Sequence, residues 1–196
     1  MNSVFVTFRG DEEIPVLPFL KNRKMVKYLN RETMAAIVAV GRLSGSVPLP
    51  PEIPFYYATG MLEYEDYGLR EIVAASTDAS GMFSAKRFVE DGIRAVSPLN
   101  QFKVLQNMPL SFASINYGLA GDNAVVYSSA GALLRQALCA PGDGPVLIGA
   151  GKAYRDGRVE SGAAVVPRAL IETSPWLRSE AEGIDIFRPV TRGARR

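Results

Sequence analysis

Apolar and polar positions alternate along residues 3–8, SVFVTF, as a half-buried first strand requires, and Gly10 with Asp11 ends the run. After a loop marked by Pro15 and Pro18, the apolar residues Met25, Leu29, Ala36, Ile37, Val40 and Leu43 recur near helical spacing, which predicts one long amphipathic helix from about Lys24 to Leu43. Gly45 and the prolines at 48, 50, 51 and 54 stop it, and FYYATG follows as a short strand. Ser84 is placed to cap a helix running through Phe88 to about Ala95, and Met108–Tyr117 reads as a helix closed by Gly118 in a left-handed cap. NAVVY passes at a sharp corner into the helix of AGALLRQAL. GPVLIGAG is an apolar run short enough for a buried strand, and ESGAAVVP reads as a last strand stopped by Pro167. Ser174-Pro175-Trp176 has the cap-then-proline form of a helix start, with Gly183 as its end.

Unalternating inner strands interleaved with helices predict an α/β domain: a five-stranded, mostly parallel sheet with helices on both faces. The last two strands are joined by too few residues for a crossover helix, so the last strand is expected to be antiparallel.

Composition narrows the chemistry. With 196 residues, 47% of them hydrophobic, the chain suits one soluble domain with a substantial core. No apolar run reaches membrane-spanning length, and MNSVFVTFRG lacks a basic segment leading into a long apolar one, which points to the cytoplasm and to no membrane partner. The net charge of +2, from 22 basic and 20 acidic residues, is too balanced to predict nucleic-acid binding, and the basic end, RPVTRGARR, reads as a solvated terminus. One cysteine, Cys139, excludes an internal disulfide and a cysteine-based metal cluster. There is no histidine, so the usual serine or cysteine triads cannot be assembled from this chain.

Against that background, RKMVKYLNRETMAAIVAV, SPLNQFKVLQNMPLSFASINYGLAGDNAVVYSSAG, VLIGAG and RDGRVESGAAVV resemble, in order and spacing, the N-terminal half of β-ketoacyl synthases of the thiolase fold. The most specific part is a frame of Ser97-Pro98, Asn107 nine positions after the proline, Tyr117-Gly118, and Gly121 with Asn123. The resemblance covers residues 1 to about 172, a thiolase-like domain, and leaves residues 173–196 as a C-terminal helix and basic tail.

The resemblance implies a cysteine nucleophile nine residues after Gly121, where this chain has Ala130, or Ser129 if the alignment slips by one. The family's two catalytic histidines belong to a C-terminal half absent from this sequence. Carbon–carbon bond formation by this polypeptide alone is therefore excluded on chemical grounds. What the resemblance implies instead is a chain-length-factor-like subunit, closest to the shortened forms of polyene-making, highly reducing type II polyketide systems. Such a subunit would pair with an active ketosynthase and be visited by an acyl carrier protein, with no cofactor or metal. The strand around residues 123–128, with Val125 and Tyr127, would lie along the partner, and Leu99, Asn100, Phe102, Met108 and Phe112 would line the acyl tunnel at the interface. Met108 and Phe112, four apart on a helix, are equally readable as core packing. Alternatives from other classes are a homodimeric scaffold or binding protein, and a serine-dependent acyl thioester hydrolase.

Other candidates read as structural. Ser128 and Ser129 at a helix start are capping residues before they are nucleophiles. Cys139 follows an apolar helix and is expected to be at least partly buried. Glu63, Glu65 and Asp66 lie among loop-type residues without nitrogen ligands and read as a solvated patch. GAGKAYRDG lacks the spacing of a phosphate-binding loop, and its Gly149 and Gly151 fit a close-packed strand end.

Overall fold

A computed structural model describes residues 2–60, 68–103, 105–127 and 129–189, with only the backbone of Gln101 and Phe102. Five strands form one mixed sheet: β1 (Asn2–Phe8), β2 (Phe55–Thr59), β3 (Asn123–Tyr127), β4 (Val146–Ala153) and β5 (Val159–Val166). Their spatial order is β1-β5-β4-β2-β3. β2 pairs in parallel with both β3 and β4, while β5 is antiparallel to β4 and to β1. Four strands thus point one way and β5 alone runs against them, as expected for half of a thiolase-like fold.

The side-chain period of two sorts β2 between two cores. Phe55 and Tyr57 project toward α1 (Arg31–Ser44), and Tyr56 and Ala58 toward α6 (Ala130–Leu138). The first layer is completed by α5 (Met108–Tyr117), which packs on α1 and β2. α1 is lodged between sheet and α5, which explains why it is buried on almost every side. On the other face, Ala130, Leu133, Leu134 and Ala137 give α6 an apolar stripe against the sheet, joined by Ile171 of α7 (Arg168–Glu172) and by Ile184 and Phe187. Gly118 ends α5 at φ 70°, the left-handed cap its position predicts.

The predicted helix from Lys24 to Leu43 is two elements. Residues Arg23–Tyr28 form a 3₁₀ helix, Leu29 and Asn30 are extended, and α1 begins at Arg31. The break comes from Asn30, whose side-chain oxygen accepts from the Thr33 N–H at 2.8 Å and so starts a new helix inside a continuing apolar pattern. Ser84 caps as expected, but α3 (Ala85–Arg87) passes at once into a π-helical turn, Phe88–Gly92, and ends before Ala95. Two further helices were not predicted, α2 (Leu69–Ser76) and α4 (Pro98–Lys103). Ser174 caps a 3₁₀ turn, Pro175–Arg178, that ends at Ser179 instead of running to Gly183, and a second 3₁₀ turn spans Gly183–Ile186.

Candidate functional site

The corner from β3 into α6 is where the sequence directs attention. Ala130, where the resemblance implies a nucleophile, is fully buried at the first turn of α6. Ser129 is the N-cap: its Oγ accepts from the Ala132 N–H at 3.1 Å. The two earlier N–H groups of the helix are also taken, because Ala130 N donates to the Ala181 carbonyl at 2.7 Å and Gly131 N to the Ser179 carbonyl at 3.0 Å. Groups of this kind would otherwise be free to steady an anion. Here the chain's own segment beyond α7 satisfies them. That segment fits closely: a Cβ on Gly131 would stand 2.8 Å from the Ser179 oxygen and 2.9 Å from that of Leu177. Ser128 lies outside the described residues.

The same segment is pinned to the sheet by charge. Lys152 at the end of β4 reaches both carboxylate oxygens of Glu182 at 2.5 Å. Arg188 donates to Glu160 of β5 at 2.7 and 2.9 Å and also bonds Asp185 and the Tyr154 hydroxyl. Arg158 completes the cluster, 2.7 Å from Glu160 and stacked 3.7 Å above the Tyr154 ring. Burial and the Glu160 carboxylate push the Tyr154 phenol up to about 12.

At the carboxyl ends of β2 and β4 a cleft of about 540 Å³ opens beside the corner, lined by Thr59, Gly60, Tyr127, Gly151, Lys152 and, from the C-terminal segment, Glu182 and Ile184 among others. Ligands in open α/β sheets commonly bind at such strand ends, where connections diverge to opposite sides. Beneath it lies a buried carboxyl. Glu32, in the first turn of α1, accepts from Thr59 Oγ1 at 3.0 Å, and burial pushes its pKa up to about 7. The neighbouring Tyr57 phenol is held well above its ordinary value by burial and by Glu32. Gly151 makes this arrangement possible, since a Cβ there would stand 2.7 Å from Glu32 Oε1 and overlap the Tyr57 hydroxyl. Gly149 likewise leaves room for the Tyr57 ring, which gives both glycines the close-packing role expected of them.

The tunnel candidates lie on three elements, α4, α5 and β3. Leu99 and Asn100 are half-buried on α4, whose start is marked by Asn100 N donating to the Ser97 carbonyl at 2.8 Å. Phe102 lies on the same helix with its side chain outside the described residues. Met108 is half-buried at the start of α5, and Phe112, one turn on, stacks on Tyr28 at 6.4 Å and packs against the α1 core. Val125 is half-buried toward that same core, whereas Tyr127, at the end of β3, is exposed and faces the cleft. Glu63, Glu65 and Asp66 lie outside the described residues.

Cys139 corrects an expectation: it is exposed. Two residues beyond Ala137, the last buried position of α6, the helix has turned by about 200° and the side chain points away from the sheet. Sequence reasoning also missed Glu32 and the closure of the corner by residues 177–182, because both depend on segments far apart in the chain. Among the described residues no helix is long and apolar enough to cross a membrane. No family model matches the sequence, and no curated protein does.

Proposed function

We propose that the chain is a noncatalytic, chain-length-factor-like subunit that pairs with an active ketosynthase and shapes the acyl tunnel during type II polyketide elongation. The observation that carries this reading is the corner itself. It keeps the strand-to-helix geometry at which a ketosynthase would hold its acyl thioester, but Ala130 offers no nucleophile and Ser129 is committed to capping. The N–H groups of Ala130 and Gly131 that could steady an oxyanion are bonded to the chain's own carbonyls.

The edge of the sheet supports a partnership. Among the described residues β3 pairs with β2 alone, and its Ala124, Val125 and Val126 are half-buried with no described strand beyond them. An apolar edge of this kind is an aggregation hazard unless a partner covers it. Pairing with the corresponding strand of a ketosynthase would extend one sheet through both subunits. In this reading Tyr127 and Leu99 face the shared tunnel, and an acyl carrier protein delivers the growing chain.

The test is co-expression with an active ketosynthase of a polyene-making type II system, followed by the mass of the complex and the length of its products. The expected result is a stable heteromeric complex, burying well over about 2,000 Å², whose product length changes when Tyr127 or Leu99 becomes alanine. A chain that stays homodimeric beside a ketosynthase fully active without it overturns the reading in favour of a scaffold. A covalent acyl group on the isolated chain overturns it in favour of a hydrolase.

A further inference from the structure

The stretch between α7 and the Gly183–Ile186 turn is built differently from its flanks. Ile171 before it and Gly183, Ile184 and Phe187 after it are buried, whereas none of residues 172–182 is. Yet this stretch lies across the start of α6, where the Ala181 and Ser179 carbonyls accept from Ala130 and Gly131. Trp176 and Leu177 pack against the core around α6, and Arg135 Nη1 donates to the Leu177 carbonyl at 3.0 Å; residues 178–182 beyond them are tied by polar groups, the Ser179 and Ala181 carbonyls and the Lys152–Glu182 pair. A segment held by a few polar contacts between two apolar anchors has the makeup of a locally opening unit. The 540 Å³ cleft runs along its inner side, bounded there by Glu180 and Glu182.

We propose that residues 178–182 form a hinged lid over the start of α6, opening between the docked anchors Leu177 and Ile184 with Phe187 while the rest of the fold stays closed. Lid down, the first two N–H groups of α6 are occupied and the corner is sealed. Lid up, these groups join the cleft in one continuous surface, so access to the corner is set by the lid and by its latch, Lys152. This inference holds whether or not the chain serves a ketosynthase.

Amide hydrogen exchange on the full chain, read residue by residue by NMR, tests it. The Ala130 and Gly131 amides are expected to exchange at least about tenfold faster than the Leu133 amide, which is bonded within the corner to Ser129, and than those of β4. In the variant Lys152→Met these two amides should accelerate about tenfold further, with Leu133 and β4 unchanged. Should that variant not fold, high salt applied to the wild-type protein weakens the Lys152–Glu182 pair and supplies the same comparison. Exchange of Ala130 and Gly131 in step with β4, in the wild type or under either perturbation, overturns the lid, since the segment would then open only with the whole domain.

Discussion

β4 and β3 flank β2 in the same parallel register, Tyr57 standing opposite Gly149 on one side and Val125 on the other. Their environments differ sharply. Val146 to Gly151 of β4 are all buried, whereas no residue of β3 is, and both its ends are exposed. β4 has β5 beyond it and helices over both faces; β3 has nothing beyond it among the described residues. VLIGAG and NAVVY read alike as inner strands, and the distinction between a finished side and an unfinished one lies outside either run. An apolar strand left at an edge is an aggregation hazard unless something covers it, while the opposite edge, β1, exposes Asn2, Ser3 and Thr7 as a strand meant for water does.

The largest predicted effect breaks the finished side. Gly151→Val drives a Cβ against Glu32 and the Tyr57 hydroxyl, both fully enclosed and unable to swing away. A loss of about 4 kcal/mol in urea unfolding is expected. Ala124→Val, on the half-buried β3, should cost less than about 1 kcal/mol. Equal costs would erase the contrast.

Next is the carboxyl buried on that side. Glu32 has an ordinary value of 4.5 and is pushed up to about 7 in the fold, so between these values the folded chain holds a proton the unfolded chain has lost. Stability contributed by this group is complete below about pH 4.5 and is lost as the pH rises through about 7, a difference of about 3 kcal/mol. Glu32→Gln keeps an oxygen for the Thr59 hydroxyl and has no proton to lose. It should match the wild type near pH 4.5 and exceed it by about 3 kcal/mol at pH 9, measured by denaturant unfolding at each pH. A gain that does not grow with pH would place the charged form comfortably in the fold.

These residues also show how far local pattern reaches. The strands were readable because apolar runs and their stops are local, and α5 and α6 because Gly118 and Ser129 mark ends within one turn. The break before α1 was obscured because Leu29 keeps the helical spacing while Asn30 restarts the helix. α4 carried a readable signal, the Ser97-Pro98 start, of the same form as Ser174-Pro175. Glu32 carried none: an acidic residue in a first turn reads as a solvated partner of the helix dipole. Its burial comes from Thr59 and Gly151, far along the chain. The closed corner is of the same kind, since the carbonyls that seal it belong to residues 179 and 181.

The unfinished side yields a smaller effect in folding and a selective one in assembly. Phe55 N donates to the Asp122 carbonyl at 2.8 Å. In a parallel ladder alternate residues bond the neighbour, so Ala124 and Val126 serve β2 while Asn123, Val125 and Tyr127 turn their N–H groups outward. Val125→Pro removes an outward donor and leaves the ladder to β2 intact, at a cost of about 1–2 kcal/mol in unfolding. Association through this edge should weaken at least about a hundredfold by analytical ultracentrifugation, about 2.7 kcal/mol. Thr7→Lys, on the exposed opposite edge, should leave it unchanged. Were the two substitutions equivalent, β3 would not be the interface.

The smallest effect comes at the corner where the two sides meet, and it separates capping from chemistry. Ser129 holds only the Ala132 N–H, since Ala130 and Gly131 are served by the segment beyond α7. Ser129→Ala therefore orphans one donor in an otherwise satisfied helix start and should lower stability by about 1 kcal/mol, with Ser129→Asp restoring most of it because a carboxylate caps equally well. A nucleophile would behave in the opposite way: alanine and aspartate would both abolish turnover whatever they did to stability. Unfolding of the two variants, run beside hydrolysis of an acyl thioester by the purified chain, tells these apart. Aspartate rescuing stability over an unchanged background rate assigns Ser129 to the helix, and loss of a measurable rate in both variants assigns it to catalysis.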